Sequence, residues 1–203
     1  SLSGVDVKKF TLSRKQKIGS KQKLRLENSS GVFGFVGRLT EDKGIFELLN
    51  AFIFLSKKHT NIHLLLVGPM DSKNAKIEKM IDSCASILWI GEVSNVQDYL
   101  AAMDVFVFPT YREGLGMSLI EAQIAGVPVI ASDVTGCNEI VKHESTGILI
   151  PVKNSNRLAL EMETLLLSSK MRSELARNAQ VTAVKRYNSK SVTYEVMRFL
   201  RSM

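Results

Sequence analysis

Short apolar segments that alternate with longer amphipathic ones constrain the fold of this chain more than any other feature. Each short segment is rich in β-branched or aromatic residues and is ended by a glycine, a proline or polar residues. The predicted strands cover residues 32–37, 62–68, 87–90, 104–108, 129–132 and 147–150. Strands that are apolar on both faces and alternate with helices predict a parallel, doubly wound α/β sheet of about six strands, with helices on both faces.

The longer segments have the periodicity of amphipathic helices. The predicted helices cover residues 43–59, 73–83, 95–103, 117–125 and 136–142, and a helical C-terminus extends from 154 to 203. The pattern divides the chain into a basic linker at residues 1–30 and one Rossmann-like domain at residues 31–203. With 203 residues, 45% of them apolar, the chain is long enough to bury one such core.

The carboxyl ends of the predicted strands are where a ligand is expected, because open parallel sheets bind ligands there. The strands are followed by Gly37 and Arg38, by Gly68 and Pro69, by Gly91, by residues 110–113 and by residues 133–138. We therefore expect the chemistry of the protein to be concentrated at this edge of the sheet.

The most informative of these segments runs from Glu113 to Glu121, with Gly114 and Gly116 between the two acids. A glycine turn that leads into a helix presents free backbone amides to an anion, and carboxylates accept hydrogen bonds from hydroxyls. The amides expected to face a diphosphate are those of Met117, Ser118 and Leu119. The segment therefore favours a ligand that is both phosphorylated and hydroxyl-rich, such as a sugar nucleotide.

Two cations follow the first predicted strand. Arg38 comes directly after it, and Lys43 opens the next predicted helix, where the helix dipole disfavours a cation unless an anion is bound. Arginine offers a fork to paired phosphate oxygens and lysine adds a point charge. The residues also allow simpler interpretations: solvated loop cations, a surface acid at Glu113, a salt bridge within the fold at Glu121 and an ordinary glycine turn.

The net charge of +7 is concentrated in the N-terminal segment. Residues 1–25 carry eight basic side chains and one acid, so this segment alone accounts for the net charge. The simplest interpretation is a solvated linker. A further expectation is peripheral contact of residues 8–25 with an anionic membrane surface, which favours each nearby cation by about 1 kcal/mol. Nucleic acid is not expected as a partner, because Phe10 is the only aromatic residue of the segment.

The cysteines, the histidines and the start of the chain bear on location. Cys84 and Cys137 have no partners at metal-ligand spacing and the histidines are scattered, so we expect two reduced cysteines and no metal site. No apolar run approaches the roughly 18 residues of a membrane span, and the polar start does not predict a secretory signal. These features favour a cytoplasmic protein. The first residue is a serine, which we interpret as the start of a fragment.

Several segments, taken in order, resemble the C-terminal, donor-binding half of the GT-B-fold glycosyltransferases of family 4, a retaining group. The similarity extends over roughly residues 4–200. It rests on Gly4-Val5-Asp6 with Phe10, on Gly37-Arg38-Leu39 with Lys43-Gly44, on Glu113 with Glu121, and on residues 102–109, 126–131 and 139–141. The chain departs from the family at Leu115, where phenylalanine is common, and at residues 135–138, which replace a glycine pair.

The resemblance implies a nucleotide-sugar donor, a UDP- or GDP-sugar above all, with no cofactor. Arg38 and Lys43 would neutralise the donor diphosphate in place of a metal ion, Glu113 would contact the donor sugar, and Glu121 would bind the ribose. The implied catalytic residues are Glu113, Arg38 and Lys43. The implied donor-binding residues are Gly37, Arg38, Lys43, Ile90, Gly91, Glu113, Gly114, Leu115, Gly116, Met117, Ser118, Leu119 and Glu121, with Ile90 and Gly91 lining the base pocket.

The resemblance also implies sugar transfer with retention, through an oxocarbenium-like state, to a glycan or lipid-linked acceptor in polysaccharide or lipopolysaccharide assembly. An N-terminal domain with no counterpart in this chain would bind the acceptor. We therefore expect the chain alone to bind nucleotide weakly and not to turn over.

Two other functions stay open: a non-catalytic sugar-nucleotide-binding module and a GT-B-like epimerase. A dinucleotide-binding domain is disfavoured, because Gly31, Gly34 and Gly37 lie within the first strand and lack the G-x-G-x-x-G spacing.

Overall fold

The computed structural model describes residues 5–70 and 74–187 of the chain. Six strands form one sheet in the order β3-β2-β1-β4-β5-β6, and every neighbouring pair is parallel. The strands are β1 (Gly31–Val36), β2 (Ile62–Val67), β3 (Ile87–Gly91), β4 (Val105–Phe108), β5 (Val129–Ser132) and β6 (Ile148–Ile150). The predicted parallel α/β sheet is therefore confirmed.

Helices cover both faces of this sheet, since every residue of β1, β4 and β5 is buried. The helices are α1 (Val7–Phe10), α2 (Arg14–Lys23), α3 (Ile45–Ser56), α4 (Ala75–Asp82), α5 (Val96–Leu100), α6 (Met117–Ile124), α7 (Ser155–Leu167) and α8 (Ser169–Tyr187). Away from the sheet, α3 packs against α7 and α6 packs against α8.

The order of the strands reverses between β1 and β4. From β1 the chain moves outward to β2 and β3, and it then returns to add β4 on the other side of β1. Such a reversal opens a crevice at the carboxyl ends of the two central strands, because the connections that follow them turn to opposite sides. The loop after β1 and the loop after β4 therefore lie next to each other.

Two helix predictions need correction. The helix predicted at residues 136–142 is wrong: consecutive turns occupy residues 135–140, with Gly136 in the left-handed region at a φ of 87°. The backbone there is constrained because a Cβ on Gly136 would lie 2.4 Å from the carbonyl oxygen of Glu113. The helix predicted at residues 154–203 is interrupted at Ser168, which is extended and separates α7 from α8; residues 188–203 lie outside the described part.

The boundaries of two other helices also differ from prediction, and one of them determines where Lys43 lies. The helix expected to open at Lys43 begins at Ile45, after a 3-10 turn over Glu41–Lys43. The helix expected at residues 95–103 ends at Leu100. Lys43 therefore stands on a tight turn at the edge of the sheet, not inside a helix.

The segment before β1 folds onto the domain. Gln16 and Ser13 form a capping box at the start of α2, and Phe10 and Leu26 are buried in the common core. Gly4, the first residue of the motif shared with family 4, lies outside the described residues.

Two basic residues of this segment point into the domain. Lys17 donates a hydrogen bond to the carbonyl oxygen of Gly126 at 3.0 Å, and Lys21 forms a salt bridge with Asp104 at 2.7 Å. The other six are exposed: Lys8, Lys9, Arg14, Lys15, Lys23 and Arg25. In the described ranges, no helix combines the length and the apolar character needed to cross a bilayer.

Candidate functional site

Lys43 and Glu113 form an ion pair where the loops after β1 and β4 meet. The Nζ atom of Lys43 lies 2.8 Å from Oε2 of Glu113, and both side chains are less than one-fifth exposed. The other carboxylate oxygen of Glu113 accepts hydrogen bonds from the amides of Gly114 at 3.0 Å and Leu115 at 3.4 Å. Burial alone would raise the pKa of Glu113, but the ammonium of Lys43 and the turn amides outweigh it and hold that pKa below its usual range.

The two loops are fixed to each other by backbone contacts. Gly44 has a φ of 69°, and a Cβ at this position would lie 2.0 Å from the carbonyl oxygen of Pro109. The amide of Tyr111 donates to the carbonyl oxygen of Asp42 at 2.8 Å. Because only glycine tolerates both this φ and this approach, Gly44 allows Lys43 to reach Glu113.

A second contact between the loops is made by side chains. The hydroxyl of Tyr111 lies 2.8 Å from both carboxylate oxygens of Glu47, on the first turn of α3. Burial and the nearby carboxylate raise the pKa of Tyr111, so the hydroxyl stays protonated and donates. This contact ties the loop after β4 to the helix that follows β1.

The glycine turn enters α6 through Gly116, which is left-handed at a φ of 54°, and no side chain caps this helix. The amide of Leu119 donates to the carbonyl oxygen of Gly116 at 3.0 Å. Leu119 was predicted to offer its amide to an anion; in the structure this amide is engaged with Gly116. The first two helical amides, of Met117 and Ser118, have no intrahelical acceptor, as is usual for a helix start.

Glu121, on α6, is half-buried and differs sharply from Glu113. Burial raises the pKa of Glu121 to about 7, and the charge of Lys9 on α1 offsets this only in part. The internal salt bridge considered from the sequence is not formed within the described residues. A half-buried carboxylate without a partner is costly, and hydroxyl donors from a ligand would lower that cost.

A cleft of about 430 Å³ opens in front of the ion pair. The residues that line it are Arg38, Asp42, Lys43, Arg112, Glu113 and Gly114. A hydrogen bond of 2.6 Å from the hydroxyl of Thr40 lowers the pKa of Asp42, and the charges of Lys43, Arg38 and Arg112 lower it further despite partial burial. The cleft thus combines three cations with two ionised acids.

Gly37, Ile90 and Gly91 lie beside the cleft and not in it. The amide of Gly37 donates to the carbonyl oxygen of Val67 at 2.9 Å, which joins the ends of β1 and β2. Ile90 and Gly91 end β3, two strands from β1 and therefore about 10 Å away. A ligand that touches both Gly91 and Lys43 must be elongated.

The turns at residues 135–140 approach the loop after β4 at the carbonyl oxygen of Glu113, and they contain the buried Cys137. Burial raises the pKa of this thiol to about 12, and the charge of Glu113 acts in the same direction. Cys137 is therefore a protonated, buried side chain and not a nucleophile. In the described part of the chain, no cluster of three or more His, Cys, Asp or Glu side chains is arranged to hold a metal ion.

The family model of the glycosyl transferases group 1 matches residues 16–182, which include the whole sheet and both loops of the cleft. The chain belongs to the group 1 glycosyltransferases.

Curated relatives of this domain are named as glycosyltransferases. The capsular polysaccharide biosynthesis glycosyltransferase CapM of Staphylococcus aureus is 32% identical over 199 residues, which cover 97% of this chain and 52% of CapM. The N,N'-diacetylbacillosaminyl-diphospho-undecaprenol alpha-1,3-N-acetylgalactosaminyltransferase of Campylobacter jejuni is 28% identical over 149 residues, 73% of this chain and 39% of that protein. The chain spans about half the length, or less, of the curated relatives it matches.

A solved structure confirms the glycosyltransferase fold. HepE of Anabaena, crystallised with UDP and glucose, superposes with a TM-score of 0.89 over 98% of this chain and 56% of its own, at 24% identity. Similarity at this level of identity supports the fold, and the roles of individual residues have to come from the geometry of this chain.

The structure gathers Arg38, Lys43, Glu113 and Gly114 in one cleft, and it places Glu121 on the adjoining helix. Sequence reasoning missed three groups: Arg112, Asp42 and the Tyr111–Glu47 contact. Arg112 could have been found from the sequence, because it precedes Glu113 in the loop that follows β4. Glu47 could not, because its contact with Tyr111 joins positions 64 residues apart.

Proposed function

We propose that this chain is the nucleotide-sugar-binding domain of a retaining glycosyltransferase of family 4. The complete protein would move a sugar from a UDP- or GDP-sugar to a glycan or lipid-linked acceptor in polysaccharide assembly. A second, N-terminal domain outside this chain would bind the acceptor. The family membership and the names of CapM and the Campylobacter enzyme support this substrate class.

The observation that carries the proposal is the meeting of Arg38, Lys43 and Glu113 in one cleft at the point where the strand order reverses. That location is where doubly wound sheets bind nucleotides. The uncapped start of α6 adds backbone amides with the polarity that suits a phosphate. Cations and amides together would hold the donor diphosphate without a metal ion or any other cofactor.

In this proposal the main catalytic effect is electrostatic. When the bond between the sugar and the diphosphate breaks, the electron pair stays with the phosphate oxygen, and Arg38 and Lys43 would stabilise that charge. Glu113 would contact the donor sugar. Since Lys43 and two amides hold Glu113 ionised, its carboxylate would also face the positive charge of an oxocarbenium-like state.

The remaining contacts would fix the nucleoside. Glu121 would accept hydrogen bonds from the ribose hydroxyls, which would satisfy a carboxylate that has no partner in residues 5–70 and 74–187. The backbone near Ile90 and Gly91 would line the base pocket at the far end of an elongated ligand. Gly37, Leu115, Gly116 and the amides of Met117 and Ser118 would shape the floor of the phosphate site.

The test is a calorimetric titration of the 203-residue chain with UDP, GDP and ADP. We expect one of the three to bind and Arg38→Ala to weaken that binding strongly. Arg177→Ala is the matched control, because Arg177 is an exposed arginine on α8, outside the cleft. If none of the nucleotides binds, or if both variants behave alike, the donor-site assignment fails.

Two other activities remain as alternatives with distinct outcomes. A non-catalytic binding module predicts tight nucleotide binding by the complete protein and no transfer to any acceptor. A sugar-nucleotide epimerase predicts a changed sugar nucleotide when no acceptor is present. We expect neither, and we expect no sugar transfer by the isolated chain, since the acceptor side of the site would be contributed by the second domain.

We also propose that the protein works in the cytoplasm, peripherally at the inner face of the membrane. Six of the eight cations of residues 8–25 are exposed, and each would gain about 1 kcal/mol near an anionic surface. The double variant Arg14→Ala/Lys15→Ala should weaken sedimentation with anionic vesicles, while Lys170→Ala/Arg177→Ala, with the same loss of charge on α8, should not. Equal sedimentation of the two variants would contradict the membrane contact.

A further inference from the structure

Arg112 is the one cation of the cleft to which the sequence assigned no role. It lines the same cleft as Arg38 and Lys43 and is exposed at the rim. Lys43 is already bound to Glu113 at 2.8 Å. Within the described residues, neither a salt bridge nor a side-chain hydrogen bond holds the guanidinium of Arg112. Its five donors are therefore available to an anion in the cleft.

The backbone of Arg112 is fixed even though its side chain is exposed. Its carbonyl oxygen accepts a hydrogen bond of 2.8 Å from the hydroxyl of Thr110. The preceding residue, Tyr111, is held by the carbonyl oxygen of Asp42 and by the carboxylate of Glu47. The guanidinium therefore projects from a fixed point on the rim.

Arg38, Asp42 and Arg112 line the same cleft. Although Arg38 follows β1 and Arg112 follows β4, the fold brings both to the cleft that Asp42 also lines. Both charges lower the pKa of the Asp42 carboxyl. With the Lys43–Glu113 pair neutral as a unit, the two arginines and Asp42 leave the cleft with a net positive charge. A diphosphate is the part of a nucleotide sugar that this charge suits.

We propose that Arg112 is a third diphosphate ligand, which binds the distal phosphate, the one bonded to the sugar in the donor. The inference rests on the proposed function, because it requires a nucleoside diphosphate in the cleft. A guanidinium in the cleft that Arg38 and Gly114 also line can form two hydrogen bonds to phosphate oxygens, which a lysine cannot match in geometry. Arg112 thereby distinguishes a nucleoside diphosphate from a monophosphate.

The test compares the diphosphate and the monophosphate of the base that binds, for example UDP and UMP, in titrations at about 0.15 M salt, where distant charges are screened beyond about 8 Å. We expect Arg112→Ala to weaken UDP binding about tenfold, as the loss of a partly solvated charge-assisted bond does. UMP binding should change by less than about twofold, because the monophosphate lacks the group that Arg112 contacts. Arg112→Lys should recover only part of the UDP affinity.

The matched control is Lys153→Ala. The ammonium of Lys153 lies 4.8 Å from the ring of Tyr111, next to Arg112, but Lys153 does not line the cleft. This variant should leave the affinities for UDP and UMP unchanged.

Each outcome decides between the two proposals. If UDP binds and Arg38→Ala weakens it, but Arg112→Ala has no effect or weakens UDP and UMP equally, the inference about Arg112 is overturned and the proposed function stands. If no nucleotide of any base binds to the wild-type chain, both fail together.

Discussion

Replacing Glu121 by glutamine should make the protein more stable at high pH. The pKa of this half-buried carboxyl is about 7 in the folded protein, against an ordinary value of 4.5. The folded state therefore keeps a proton that the unfolded chain releases. The stabilisation linked to Glu121 is complete below pH 4.5 and is lost as the pH rises through about 7.

The magnitude follows from the two pKa values. Each pKa unit corresponds to about 1.4 kcal/mol, so the difference between 4.5 and about 7 sets an upper limit of about 3 kcal/mol. Glu121 is only partly buried, and solvent screening reduces the expected effect to about 1 to 2 kcal/mol. Between about pH 5 and about pH 8, Glu121→Gln should gain this much stability relative to wild type.

The assay is urea unfolding followed by the fluorescence of Trp89, the single tryptophan of the chain. Glu174→Gln on α8 is the control, because it makes the same chemical change at an exposed position. If the free energy of unfolding depends on pH in the same way for Glu121→Gln and for wild type, Glu121 is not desolvated. The argument for its role then loses its basis.

Three further predictions concern the cleft and the elements around it. Gly44→Ala should destabilise the fold by at least about 2 kcal/mol in urea unfolding, because its Cβ would lie 2.0 Å from a backbone oxygen at a left-handed φ. Gly19→Ala is the control. Gly19 lies within α2, and a Cβ there would have nothing within 4 Å, so this variant should instead be more stable by about 0.5 to 1 kcal/mol. Tyr111→Phe should cost about 1 kcal/mol in the same assay through the lost hydrogen bond to Glu47, and an unchanged midpoint would show that this contact does not hold the loop. The affinity for UDP-glucose should rise as the pH increases toward about 7, because Glu121 ionises and the phosphates of this ligand do not titrate near neutrality. Glu121→Gln should remove this pH dependence of the affinity. If the pH dependence persists in the variant, another group causes it.

Much of the site could be predicted from sequence because its residues lie directly after strands. Arg38 and Glu113 follow β1 and β4, and the carboxyl ends of parallel strands meet at one edge of a sheet. The length of α6 and its start at Met117 were also predictable, since Gly116 marks the boundary. The turns at residues 135–140 were not predictable in this way, because the approach of Gly136 to Glu113 decides their backbone conformation.

The sequence by itself determined the α/β class, the identity of the edge that carries the polar residues and the chemistry of those residues. These depend on local periodicity and on the residue that ends each strand. Only the tertiary structure decided the partners and the charge states. Lys43 and Glu113 lie 70 positions apart and meet at 2.8 Å only because β1 and β4 are neighbours in the sheet. The two glutamates of one short segment thereby differ: Glu113 has a cation and two amides and is held ionised, whereas Glu121 is desolvated and has no partner among the residues that the structure describes. The physical reason is that burial and long-range contacts set a pKa, and neither can be read from the residue type.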